Sequence, residues 1–220
     1  NPDHSFGEFH YEGGEYPDYV PVVHYEAYNL EQRRPDVIYI HNPYDEYNYV
    51  TSVHPRFYSS NLKKYTDELV YIPYFVLGEI DPQDEKAVER MRHFCLQPGV
   101  FNADKVILQS EAMAQVYINE YVKVAQAEGV RIDREQLKKK YLGLGSPKLD
   151  KVKSIRKENL DIPEEWLKII QKPDGSWKKI IFYNTSVTFL LQYDEKMLEK
   201  MKWVFRVFEE KREEVALLWR

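Results

Sequence analysis

The sequence predicts an α/β fold built on a mainly parallel sheet, and three observations predict it. Short apolar runs alternate with segments of helical periodicity. The runs Val37-Ile38-Tyr39-Ile40, Val106-Ile107-Leu108 and Ile180-Ile181-Phe182-Tyr183 are apolar throughout, as buried parallel strands are. Each stops abruptly at small polar residues: His41-Asn42-Pro43-Tyr44-Asp45, Gln109-Ser110-Glu111 and Asn184-Thr185-Ser186. Open α/β sheets bind ligands just beyond the carboxyl ends of their strands. These three polar tips therefore outline a candidate site.

Residues 1–34 read as loop, punctuated by Pro, Gly and acidic residues. They carry tyrosines at 11, 16, 19, 25 and 28, rings that stack on sugars or pack a loop onto the body. After the strand Val37–Ile40 come a polar, aromatic loop over 41–54 and a short helix over 57–64. A second strand over 69–74 contains Pro73, which argues for an edge or a strand end. Pro82 opens a helix to about Leu96 with Asp81 as N-cap, and Gln97-Pro98-Gly99 stops it. The third strand spans 105–109. Ser110 caps a long helix that Gly129 ends, with Met113, Val116, Tyr117 and Val124 at helical spacing.

Asp133 starts another helix, with Gln136 at capping-box distance, ending near Tyr141. Leu142-Gly143-Leu144-Gly145-Ser146-Pro147 reads as a strand end and hinge, followed by a basic helix from Leu149 and a helix opened by Pro163. Pro173-Asp174-Gly175-Ser176 is a turn. Lys179–Tyr183 is a strand, Asp194 caps a helix over 195–212 with the core stripe Met197, Met201, Phe205 and Phe208, and Val215–Trp219 is a last strand. The expected layout is Rossmann-like and two-lobed. Residues 1–142 form the first lobe, and 143–220 hold the hinge and the beginning of a second. The loop over 1–34 is long for a compact domain and the chain stops on a buried strand, so it is expected to be a piece of a longer protein.

Composition narrows the function classes. The chain has 220 residues, 43% hydrophobic and 30% charged, with no apolar run near the roughly 18 residues of a membrane span. The start, Asn1-Pro2-Asp3-His4-Ser5, has no secretory character. The single cysteine, Cys95, forms no internal disulfide, which points to the cytoplasm, and in a helix it reads as a small buried apolar residue. The net charge of -5 hides an asymmetry: 1–34 carry seven acidic and two basic residues, whereas 131–157 carry ten basic and three acidic. The basic window is either a solvated helix face or a place for phosphate, an anionic polymer or the inner face of the membrane. An acidic chain without an RNA- or DNA-binding signature is not expected to bind nucleic acid.

Motifs exclude more than they assign. Histidines at 4, 10, 24, 41, 54 and 93 lack metal-ligand spacing, so no metal and no cofactor is expected. No Gly-x-Ser-x-Gly elbow is present. Gly143-Leu144-Gly145-Ser146-Pro147-Lys148 is neither a P-loop nor a dinucleotide fingerprint; it is a phosphate cradle or a domain hinge. Asn184-Thr185-Ser186 is a diphosphate seat or an ordinary βα loop. The segment from His41 to Asn48 is the densest loop: His41 or Asp45 has the chemistry of a general base toward a hydroxyl, while Asn-Pro equally begins a plain turn.

Read in order, several segments resemble the CDP-glycerol glycerophosphotransferase family. Asp104-Lys105-Val106-Ile107-Leu108-Gln109-Ser110-Glu111 is similar to its strand-Ser-Glu entry into a helix. Leu144-Gly145-Ser146-Pro147-Lys148-Leu149-Asp150 resembles its Gly-x-Pro-Arg-x-Asp element. The stretch 178–186 resembles the strand opening its nucleotide-binding lobe, and 215–220 the next strand. After the strand equivalent to 69–72 the family has His-Gly-Thr-Pro, whose His is thought to be the base; this chain has Pro73-Tyr74-Phe75.

The resemblance implies a GT-B-like transferase that moves glycerol phosphate from CDP-glycerol to a hydroxyl of a polymer or glycolipid, in synthesis of a teichoic-acid-like surface polymer. The lone Cys95 and the basic window 131–157 add an expected cytoplasmic residence with peripheral attachment to the inner face of the membrane. His41 and Asp45 would be catalytic, and Asn42, Tyr44, Tyr47 and Asn48 would contact the acceptor. Ser110 and Glu111 would line the cleft. Gly145, Ser146, Lys148, Asp150, Asn184, Thr185 and Ser186 would face the donor phosphates. The alternatives are a sugar-nucleotide glycosyltransferase of the same fold and a non-catalytic binding module.

Overall fold

The structure, a computed structural model, describes residues 16–48, 52–185 and 187–220. Two compact units divide the chain, one ending at Ser154 and the other spanning Ile155–Arg220. The division falls beyond the expected boundary at 142/143. Gly143 and Gly145 are tied into the first unit by close backbone approach to Ser110–Glu111 and by a hydrogen bond from Gly145 N to Leu108 O at 3.0 Å.

In the first unit, β1 (Val37–Ile40), β2 (Glu68–Tyr71), β3 (Lys105–Ile107) and β4 (Tyr141–Leu142) form one parallel sheet in the order β1-β2-β3-β4. The three strands expected from sequence are thus adjacent and parallel. β2 is an inner strand, and Pro73 marks its end, because a residue without an N–H cannot extend the ladder. The pair Tyr141–Leu142 closes the sheet where the sequence predicts the end of a helix.

Register places Ile38, Ile40, Leu69, Tyr71, Val106 and Tyr141 on one face. That face carries the core. Against it pack Met91 and Cys95 of α3 (Glu85–Cys95), Val100 of α4 (Pro98–Asn102), Met113 and Tyr117 of α5 (Glu111–Ala127) and Leu137 of α6 (Arg134–Lys140). A smaller cluster joins Leu30 of α1 (Leu30–Arg33), Leu62 of α2 (Ser59–Leu62) and Leu69. Connections of one hand between strands taken strictly in order bring every crossover to the same side. The opposite row runs through Val37, Tyr39, Val70, Lys105, Ile107 and Leu142, with Tyr39 68% exposed. A strand order without reversal also has no switch point, the place where doubly wound sheets open their ligand crevice.

Local chemistry sets the helix ends. Ser110 Oγ accepts from Met113 N at 3.1 Å, and Asp133 from Glu135 N at 2.9 Å, as their positions predict. The cap of α3 is Asp84, whose side chain accepts from Ala87 N at 3.0 Å, rather than Asp81. Pro98, expected only to stop α3, also opens α4 as its first residue. Between α3 and α5 the buried Glu120 carboxylate meets Arg92 Nε at 3.2 Å and Lys123 Nζ at 2.5 Å, which pairs a charge that could not be buried alone. α7 (Pro147–Ser154) ends the unit.

The second unit is a single βαβ turn. β5 (Lys179–Tyr183) and β6 (Val215–Trp219) pair in parallel over five residues each, joined by α9 (Val187–Glu210). Asp194 breaks α9 with a φ of 46°, so a new helical stretch starts after it, where the sequence predicts a cap. α8 (Glu164–Ile170) precedes the pair and buries Ile170.

Candidate functional site

Parallel pairing puts the carboxyl ends of β1 to β4 on one edge of the first unit. His41 and Asn42 follow β1, Pro73 to Ile80 follow β2, Gln109 to Glu111 follow β3, and Gly143 to Ser146 follow β4. Two of the three polar tips read from sequence are therefore brought together. The third belongs to the second unit. There Thr185 Oγ1 donates to Arg220 O at 3.2 Å and accepts from Trp219 Nε1 at 3.0 Å, so it closes the chain's last strand pair, while Asn184 is exposed. Ser186 lies outside the described residues.

The loop after β1 does not act as one acceptor surface. His41 is exposed, and its ring meets Tyr74 edge-on with centroids 6.3 Å apart. Asn42 is half-buried, and its Oδ1 accepts from Tyr44 N at 3.0 Å, an Asx turn. Tyr44 is buried with its hydroxyl 3.4 Å from that of Tyr74; burial, reinforced by Tyr74, raises its pKa far above the usual phenol range. Tyr47 is exposed and borders a separate polar depression beside Pro98 and Asn102. Asn48 is half-buried.

Asp45 requires a correction. It is 2% exposed and folded with φ 45°. Its carboxylate accepts the Ser59 N–H at 2.9 and 3.0 Å and the Ser59 hydroxyl at 2.6 Å, and Asn102 Nδ2 donates to Ser59 Oγ at 2.8 Å. Burial raises its pKa, against these hydrogen bonds. A carboxylate so enclosed anchors the start of α2 and does not reach a substrate as a base.

His41 and Asn42 instead border a cavity of about 360 Å³ along β1, walled by Leu30, Val37, Ile38, Ile40, Val53, Phe57 and Leu62 with Tyr28 and Tyr39. Its size is that of a small-molecule pocket, and its walls are apolar with few polar groups, as such pockets are.

The tips of β3 and β4 interlock. A Cβ on Gly143 would lie 2.3 Å from Glu111 N and 2.4 Å from Ser110 C, so only glycine lets this backbone pass the start of α5. Gly145 has φ +103°. Ser146 Oγ is buried without a partner beside Tyr117, while Glu111, Lys148 and Asp150 are exposed. Glu79, which the sequence gives no motif to single out, is central here together with Gln109 of the β3 tip: Glu79 accepts the Ser110 hydroxyl, and also Gln109 Nε2 at 3.1 Å.

Elsewhere the basic window is partly spent on structure. Lys140 Nζ donates to Phe101 O at 2.8 Å over the rings of Tyr121 and Tyr141, Lys138 pairs with Glu135 at 2.8 Å, and Arg134 donates to Asn119 at 2.6 Å. Lys148, Lys151 and Lys153 on α7 stay exposed. Cys95 is buried, and burial pushes its thiol up to about 12, so it carries no nucleophile at neutral pH. Among the described residues, no group of three His, Cys, Asp or Glu side chains could hold a metal, and no helix is long and apolar enough to cross a membrane.

No family model, curated protein or solved structure matches this chain.

Proposed function

We propose that the chain is part of a GT-B-like glycerophosphotransferase that moves glycerol phosphate from CDP-glycerol to an acceptor hydroxyl. The observation that carries this reading is the contact between His41 and Tyr74. Tyr74 lies in Pro73-Tyr74-Phe75, which stands where the resembling family has His-Gly-Thr-Pro. A residue from the neighbouring strand tip thus supplies an exposed imidazole beside the segment that lacks one.

In this reading the acceptor hydroxyl lies at the mouth of the β1 cavity. His41 takes its proton as its oxygen attacks the glycerol-bearing phosphorus. The bond from that phosphorus to the cytidylate oxygen breaks, and CMP leaves with the electron pair. Orientation and donors around the phosphoryl group supply the rest of the catalysis. The apolar walls of the cavity suit the non-reacting part of a glycolipid, and the exposed lysines of α7 suit an anionic polymer or membrane surface.

A second reading, a non-catalytic binding module, draws support from the segment after β2, which lies across the strand tips, and from the enclosure of Asp45. Calorimetric titration with CDP-glycerol, UDP-glucose and CDP tests the assignment: selective binding of CDP-glycerol is expected, and a preference for UDP-glucose overturns it. Loss of turnover in folded His41→Ala, with binding retained, separates the enzyme from the binding module; unchanged turnover removes His41 from the chemistry.

A further inference from the structure

We propose that residues 73–80 form a lid over an oxyanion site at the tips of β2, β3 and β4, and that Glu79 latches the lid by standing in the anion's place. The segment has neither helix nor strand. Gln109 holds it by pairing with the Leu77 backbone, accepting its N–H at 2.8 Å and donating to its carbonyl at 2.8 Å. Two residues on, the Glu79 carboxylate takes the Ser110 hydroxyl and the Gln109 amide. Ser110 is the N-cap of α5, a helix of 17 residues, whose first turn favours negative charge. A side chain supplies that charge here.

The second observation lies beneath the lid. Pro73, Phe75 and Leu77 cover one side of a small, partly open cleft whose other walls include Met113, Tyr117 and Ser146. Tyr117 is 1% exposed and its hydroxyl has no partner; the Ser146 hydroxyl is also buried and unpaired. A buried hydroxyl without a partner is unfavourable, so two of them on residues that line one cleft mark a place that is incomplete when covered. The cleft holds only about 10 Å³, room for a water at most. Lifting 73–80 uncovers it and joins it to the start of α5. The donors then available are the Ser110 hydroxyl, the free N–H groups of the first turn of α5, and the two inner hydroxyls. That set fits a phosphate group, either free or borne by a nucleotide.

The inference shares its place with the function proposed above but does not need CDP-glycerol as the donor. Its test uses the whole chain, titrated calorimetrically with inorganic phosphate and with CDP at constant ionic strength, alongside hydrogen exchange over 73–80. Glu79→Gln keeps the shape of the latch and removes its charge, and Glu79→Ala removes both. Phosphate is expected to bind either variant at least tenfold more tightly than the wild type, and to speed exchange at 73–80 in the wild type. Adding Tyr117→Phe to Glu79→Gln should weaken phosphate binding several-fold without loss of fold. CDP binding more than tenfold tighter than phosphate identifies a nucleotide ligand, and equal binding a free phosphate; both sustain the site. Equal phosphate affinity in wild type and variants, or exchange at 73–80 that phosphate leaves unchanged, overturns the lid. Phosphate binding without CDP-glycerol binding overturns the donor assignment alone.

Discussion

Asp45 and Ser59 form a buried polar pair: one carboxylate takes both the N–H and the hydroxyl of a residue fourteen positions away. The pair fixes where α2 begins, and through Asn102 it links α2 to α4. Asp45→Ala leaves a buried N–H and hydroxyl unsatisfied, so a loss of about 2–3 kcal/mol is expected in urea unfolding. The pH dependence has a definite sign. Burial holds this acid above its ordinary range, so its contribution is greatest below about 3.8, the ordinary value, and falls as pH rises through the folded value. Asp45→Asn should flatten that fall. A stability profile identical to that of the wild type would show that the carboxylate is not enclosed as described.

Gly143 makes the closest backbone approach of the described glycines. Its missing side chain lets the strand-tip backbone lie against Ser110 and Glu111, atoms that cannot yield because they begin α5. Gly143→Ala should cost about 3 kcal/mol, at the upper end of overpacking effects. Gly78→Ala, with open space around its Cβ, is the control and should be near neutral. Equal stability of the two variants would contradict the close approach.

These two positions also show what a sequence discloses. The strands at 37–40 and 105–107 and the caps Ser110 and Asp133 are legible because their signals are local: an apolar run, or one side chain reaching a backbone N–H two or three residues on. The choice between Asp81 and Asp84 was not, since both are good caps and Pro82 also fits a first helical position. Asp45 reads as a base because residue type and a strand tip say so, and its partner is fourteen residues away. Glu79 is invisible for the same reason, as its partner is 31 positions on. The site's neighbourhood follows from parallel pairing, while the roles of its side chains follow from contacts that no local pattern encodes.

Tyr141 offers a test of core packing. It is 2% exposed, lies 6.1 Å from Tyr117 and 6.2 Å from Tyr121 between ring centres, and its hydroxyl has no partner. Tyr141→Phe keeps the ring contacts and deletes an unpaired polar atom. A gain of about 1 kcal/mol is expected. A comparable loss would reveal a hydrogen-bond partner for the hydroxyl.

Lys140 supplies the clearest alkaline signature. Burial, aided by the neighbouring Lys63 and opposed by Asp104, lowers its pKa from 10.5 to about 8. Asp104 itself is held below the usual carboxylate range, because the Leu69 N–H at 2.9 Å and Lys63 at 2.5 Å outweigh its own burial. Between pH 8 and 10.5 the unfolded chain therefore binds more protons at Lys140 than the folded one does. Stability from this residue rises with pH across that window, because the cost of burying an ammonium ion disappears as it loses its proton. The full rise is on the order of 3 kcal/mol. Tyrosines ionise in the same range, so the measurement is the difference between wild type and Lys140→Met in urea unfolding at several pH values from 7 to 10. The wild type should gain on the variant as pH rises, chiefly above 8. Curves that stay parallel would place the Lys140 ammonium in water, away from the Phe101 carbonyl and the two rings.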